Sequence, residues 1–204
     1  MKAYLIAGAA FAALLSTSAL VAQQIASADP TTVQAGTYRA DPNHTQVGFT
    51  LSHFGFSNFT GQIGGATGTL VLDPAHAAAS SVTVSVPVSA IQTPVDALNE
   101  KLKGDQWFDT GKFPQATFTS TSVTPTGGGN ATIAGDLTLH GVTQPVQLTA
   151  HFVGAGTNPL NKAYTVGFEA TGTIHRSAFG VKTFVPLVGD TVALRISASF
   201  EKQG

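Results

Sequence analysis

The sequence predicts an all-β domain, an antiparallel meander of eight strands with one short helix inserted after the Val82–Ile91 strand. Three observations carry that expectation. Apolar and polar residues alternate over most of the chain, the period of strands with one apolar face. The 22 glycines and 10 prolines are poor material for helix interiors. Turn-forming groups recur at hairpin spacing between the alternating runs: Asp73-Pro74, Gly127-Gly128-Gly129-Asn130, His140-Gly141, Asn158-Pro159 and Gly189-Asp190.

From the N-terminus, Met1-Lys2 precedes an apolar, small-residue run from Leu5 to Ala22, and Ala26-Ser27-Ala28 offers the small residues a signal peptidase accepts. Residues 1–28 therefore read as a signal peptide cleaved near Ala28, and the chain as periplasmic or secreted. The Ala, Gly, Ser and Thr content of the run and the polar Gln23-Gln24 favour removal over retention as an anchor. Residues 29–35 are polar and read as a flexible leader, and the domain spans 36–202.

Within the domain a short strand is optional near Thr37 to Arg39. Val47, Phe49, Leu51 and His53 then share one face of a strand, followed by Leu70 and Leu72. Val82, Val84, Val86, Val88 and Ala90 form a long alternating set opposed by Ser and Thr. Thr93-Pro94 has the form of an N-cap and N1 proline, and Leu98 and Leu102 recur at helical spacing, which places a helix at Pro94 to Lys103. Beyond it, Ala116 and Phe118, then Ile133 to Leu139, Val146 to Phe152, Tyr164 to Ile174 and Val192 to Phe200 complete the eight.

Composition excludes several functions. Ten Lys+Arg against 11 Asp+Glu leave a net charge of −1 with no basic block, which argues against nucleic acid. Cysteine is absent, so there is no disulfide, thiolate zinc site or thiol nucleophile. No His-x-His or His-Glu-x-x-His spacing suggests a metal, and no Gly-x-Ser-x-Gly elbow suggests a serine hydrolase. Neither a catalytic residue nor a cofactor is expected.

Eight such strands can stack as a solid β-sandwich, suited to an envelope structural or interaction role without a ligand, or close into a barrel. The apolar faces mix large residues with Gly135, Gly172, Ala150, Ala170 and Ala198. Small inward residues leave volume for an apolar guest unless bulky neighbours fill it. The segment His53-Phe54-Gly55-Phe56-Ser57-Asn58-Phe59 is poor strand material, and its rings suit a loop collar at a barrel mouth or a plug.

Five stretches in collinear order resemble the YceI-like, polyisoprenoid-binding family. They are Asp41-Pro42-Asn43-His44-Thr45 with His53-Phe54-Gly55-Phe56-Ser57; Trp107-Phe108-Asp109 with Phe113-Pro114; Gly135-Asp136-Leu137-Thr138-Leu139-His140-Gly141-Val142-Thr143; Arg176-Ser177-Ala178-Phe179-Gly180; and Val188-Gly189-Asp190-Thr191-Val192. The resemblance implies a lipocalin-like antiparallel barrel of eight strands in an exported protein. Such a protein carries a long-chain isoprenoid, with a polyprenyl phosphate or quinone-like head, and performs no chemistry. Bland apolar walls would also admit fatty acids or fatty amides. A homodimer, and transient membrane contact for lipid exchange, are further implications. Lys101 and Ala178 depart from the family pattern, which commonly has a histidine and an acidic residue there.

On this reading the tail-lining set is Phe49, Leu51, Val84, Val86, Phe118, Leu137, Leu139, Val146, Leu148, Phe168, Ile174, Phe179, Leu194 and Ile196, with Phe54, Phe56 and Phe59 at the mouth. The head-group candidates are His44, His53 and Arg176. His44 also fits a turn held by Asp41, His53 a core histidine, and Arg176, one of three arginines, a surface ion pair.

Overall fold

The computed structural model describes residues 25–204. The expected signal peptide lies outside the described residues except for its last four, of which Ser27 bridges Ala155 antiparallel. Among the described residues no helix is long and apolar enough to cross a membrane. Residues 29–35 form a defined turn rather than a flexible leader. Asp29 caps the 3-10 turn Pro30–Thr32 by accepting from the Thr31 N–H, a role that an Asp before a proline suits. Val33 then packs against the core.

Eleven strands follow: β1 Gly36–Ala40, β2 Gln46–His53, β3 Ser57–Gly64, β4 Thr67–Leu72, β5 Ser81–Pro87, β6 Ile91–Gln92, β7 Gln115–Gly127, β8 Asn130–Leu139, β9 Val142–Thr157, β10 Tyr164–His175 and β11 Thr191–Lys202. Among the described residues there is one α-helix, α1, at Asp96–Leu102. Eight strands close a ring in the order β1-β4-β5-β7-β8-β9-β10-β11, with β1 pairing back onto β11. Every pairing is antiparallel. The closure rules out the solid β-sandwich alternative.

Strand β11 is shared. Its C-terminal residues Phe200 to Lys202 pair with β1, while Ala193 to Ser197 pair with β2. The Asp41-to-Thr45 turn separates the two partners. Buried Thr45 holds it there, its hydroxyl donating to the Ser199 carbonyl and accepting from the Ser199 N–H, each at 3.1 Å. One end of the barrel, here the lower, holds the β7–β8 and β9–β10 hairpins; the upper end holds the β2–β3, β8–β9 and β10–β11 connections. In the upper half β2 and β3 take the place of β1 and β4, and no ladder joins β3 to β5. Ile91, Leu102, Trp107 and Val181 form a core cluster there, with Phe49, Ile63, Leu98 and Phe108 against it.

Three sequence expectations shift. The long Val82–Ile91 strand stops at Pro87, and Val88–Ala90 is a 3-10 turn before β6. Helix α1 starts at Asp96, not Pro94, because Val95 is extended (φ −123°, ψ 101°) and takes the N-cap position; the Thr93 hydroxyl still accepts from the Val95 N–H, and the Asn99 side chain accepts from the Thr93 N–H. The Phe-rich segment is a hairpin: Phe54 and Gly55 turn with positive φ, and Ser57–Gly64 is a strand fully paired with β2.

Candidate functional site

Inward side chains of the barrel surround a cavity of about 480 Å³, within the usual size of sites that enclose an organic ligand. Its lining runs from Val33, Pro125, Gly129 and Phe152 near the lower end to Leu51, Leu139, Trp107, Arg176 and Val181 near the upper. On β11 alone it spans Val192 to Phe200, about 26 Å of strand at ~3.3 Å per residue. Phe49, Leu137, Phe168, Leu194 and Ile196 all point inward yet are only half-buried. They keep surface because they face a void rather than one another.

The small inward residues divide into two kinds. A Cβ at Gly135 would strike the Phe118 ring, and one at Gly172 would lie 2.6 Å from Leu148 Cδ2, so neighbours already occupy both gaps. Ala150, Ala170 and Ala198 line the cavity itself. The alanines therefore leave the room, and these glycines do not.

Of the expected tail-lining set, Phe49, Leu51, Val84, Val86, Phe118, Leu137, Leu139, Val146, Leu148, Phe168, Ile174, Leu194 and Ile196 meet on the cavity wall. Phe179 does not. It is buried under the β8–β9 turn, packed with Ile174 and Val192, and its carbonyl lies 3.1 Å from His140 Nδ1. Phe54, Phe56 and Phe59 also lie off the wall: the first two are exposed on the β2–β3 turn, and Phe59 is half-buried where β3 is the outer strand. Residues not anticipated on the wall include Ile63, Leu70, Ile91, Leu102, Trp107 and Val181. Several come from α1 and the loops, where no alternation marks an inward face.

The head-group candidates separate similarly. His44 lies outside the barrel, in a surface groove with Arg39, Asp41 and Glu201, its Nδ1 against the Asp41 carboxylate. Burial works against ionisation of Asp41, but hydrogen bonds from the His44 ring and the Asn43 and His44 N–H groups outweigh it and hold its pKa below the usual range. His53 is exposed, its ring 4.5 Å from Phe54 and 6.0 Å from Phe59. Lys101 and Ala178, the two departures, are exposed and off the wall.

Arg176 alone of the three reaches the cavity, and it is 5% exposed. It belongs to a 3-10 turn, Arg176–Phe179, closed by Gly180 in the left-handed region. Its Nε donates to the Gly189 carbonyl at 2.9 Å, one terminal nitrogen to Val181 at 2.9 Å and the other to Val188 at 2.7 Å. The guanidinium lies 5.6 Å from the centre of the Trp107 ring. Burial pulls its pKa below the ordinary value, and the charge of Asp190 opposes that pull. Three acceptors occupy three of the five N–H groups, so the cation is a clamp on the 181–189 loop with donors to spare. Among the described residues the buried Trp107 indole N–H finds no acceptor.

Near the same end, the Ser177 hydroxyl donates to Asp190 Oδ2 at 2.9 Å, and His175 Nδ1 lies 3.6 Å from that oxygen. A nucleophilic serine needs the histidine between itself and the carboxylate. Here the carboxylate stands in the middle, so the histidine has no path to the serine proton. Among the described residues no group of three or more His, Asp or Glu side chains is arranged to hold a metal ion.

Comparison with known proteins agrees with this architecture. Residues 38–200 match the YceI-like domain. A UPF0312 protein of Ectopseudomonas mendocina is 35% identical over 188 residues, 92% of this chain and 95% of that one. The crystal structure of BcnA from Burkholderia cenocepacia superposes with a TM-score of 0.70 at 26% identity, covering 78% of this chain and 98% of that one. A polyisoprenoid binding domain from Saccharophagus degradans, implicated in plant cell wall breakdown, shares the fold at a TM-score of 0.61 and 15% identity, over 83% of this chain and 100% of that one. By the domain match and the extent of these identities, the chain belongs to the YceI-like family.

Proposed function

We propose that this protein is a non-catalytic carrier, exported to the periplasm or beyond, that holds a long-chain isoprenoid lipid in its barrel. One observation carries the reading: the apolar walls enclose an elongated void instead of filling it. Each five-carbon isoprene unit moved from water into such a void gains, in gross, about 4 kcal/mol, at ~0.8 kcal/mol per buried carbon. Ordering and immobilising the chain offset much of that. A hydrogen bond to a charged group is worth about 1.5–3 kcal/mol, so the tail sets affinity and the head sets selectivity. Arg176 is the candidate for a phosphate or quinone oxygen, through the N–H groups its three carbonyls leave free. Family membership and the polyisoprenoid binding domain of the same fold support this class of ligand.

Filling the void while keeping the wall intact tests the proposal. Wild-type protein is expected to yield a stoichiometric isoprenoid in the mass spectrum of its organic extract. The double variant Ala170→Phe/Ala198→Phe is expected to yield little or none, with an unchanged or higher melting temperature. Wild-type preparations that are repeatedly lipid-free, and that reject added polyprenyl phosphate and quinone, sink the carrier. A fatty acid or fatty amide in the extract keeps the carrier and changes its ligand.

A further inference from the structure

Among the large apolar side chains left in solvent, four gather at the upper end. Phe54 is 46% exposed, Phe56 92%, Phe184 54% and Leu187 60%. They come from two segments held side by side, the β2–β3 turn and the 181–189 loop, through the Phe54 N–H bond to the Leu187 carbonyl at 2.8 Å and the His53–Val188 bridge. We propose that these four side chains form a docking face for the surface of a lipid bilayer, through which the cavity exchanges its occupant; the exchange, though not the docking, rests on the carrier reading above.

Three observations favour that occupant. The face is continuous with the cavity: the Phe184 ring centre lies 6.3 Å from that of Trp107, which lines the wall, and Leu51 on the wall is three residues from Phe54. The patch is small. Taking ~200 Å² for a whole Phe, it exposes roughly 500 Å² of apolar surface, short of the ~800 Å² per partner that a stable protein interface needs. The rings also project. Phe54 and Phe184 stand at φ 54° and 61°, a left-handed backbone that bulky residues rarely adopt, and that backbone leaves each ring about half exposed. Aromatic rings on turn tips suit the boundary between head groups and acyl chains. Lys182 is the sole lysine or arginine in the 181–189 loop, so the attraction is apolar rather than electrostatic.

The experiment is flotation of the full chain with neutral phosphatidylcholine vesicles at about 0.1 M and 1 M salt. Wild type is expected to float equally at both, and Phe56→Ser/Leu187→Ser to lose at least ten-fold of the bound fraction while keeping its melting temperature. Transfer of isoprenoid between vesicles is expected to slow by the same factor. Three results overturn the proposal: a double variant that floats like wild type, wild-type binding that vanishes at high salt, or a wild type that ignores vesicles and instead self-associates through this face. If flotation depends on Phe56 and Leu187 while extracts remain lipid-free, the docking face stands and the carrier falls.

Discussion

The two ends of the barrel are held together by different means. At the lower end the hairpin turns are braced by their own side chains: the Asn130 side chain donates to the Gly127 carbonyl at 3.0 Å, and Asn158 and Asn161 accept from the N–H groups of Leu160 and Ala163, with Asn130–His151 and Asn161–Glu201 bonds tying them to the neighbouring strands. At the upper end the long β10–β11 connection is tied across itself and to other connections. His140 reaches the Phe179 carbonyl, Arg176 spans the 181–189 loop, Ser177 engages Asp190, and the Thr183 hydroxyl donates to Gln106. Most of the stretches that carry the family resemblance lie at this second end. The Asp41-to-Thr45 stretch is the exception, and it divides the β11 ladder. These motifs therefore record how the top of the barrel is assembled more than what touches a ligand.

That contrast can be broken by mutation. The largest expected effect is at Arg176. Arg176→Ala leaves three carbonyls without their cationic donor inside a packed cap, costing about 3 kcal/mol or more. At ~2–4 °C per kcal/mol for a chain of this size, the melting temperature should fall by roughly 6–12 °C. Limited proteolysis should then cut first within 181–189. A variant that melts like wild type shows that the cap stands without its clamp. At the lower end, Gly128→Ala forces a side chain onto a φ of 59° and should cost only about 1 kcal/mol. Thermal unfolding of the two variants side by side measures the asymmetry, and an equal cost would abolish it.

The smallest effect is a difference in acid response. Burial raises the Asp190 pKa, but the Ser177 N–H and hydroxyl, with the charges of His175 and Arg176, outweigh it and leave the pKa depressed. A carboxylate depressed in the folded state adds stability that is present above its unfolded value near ~3.9 and lost as pH falls through the folded pKa. Asp73 at the lower end is depressed too, first by the backbone of His76, three residues away. Its partners lie within three residues of it, whereas those of Asp190 stand at the far end of the long β10–β11 connection, 13 to 15 residues away. Asp190→Asn should therefore flatten the acid limb of the stability curve more than Asp73→Asn. The reverse order in acid titrations followed by circular dichroism would place the sensitive linkage at the lower end.

The strands were legible because alternation is a local record of burial. Val82 to Val86, Val146 to Phe152 and Val192 to Phe200 each state their inward face outright, and with it most of the cavity wall. Strand β3 was not, because its apolar sequence Phe59, Gly61, Ile63 is interrupted at the glycine. The missing volume is supplied by the Phe49 ring, which a Cβ at Gly61 would strike. Trp107, Val181 and the Arg176 clamp were hidden for another reason: they acquire their places from contacts between loops, and nothing in a loop's own sequence records a long-range partner. Phe179 was misplaced by the same gap, since a buried aromatic beneath a turn and one on a cavity wall look identical in sequence.

Trp107, the only tryptophan in the chain, stands on the cavity wall, with Arg176 over its face and Phe184 beyond it. The molecule thus carries a native fluorophore on the cavity wall, at the end where the proposed carrier would exchange its cargo. Its emission colour and quenching give a label-free readout of occupancy, with no second indole to blur the signal.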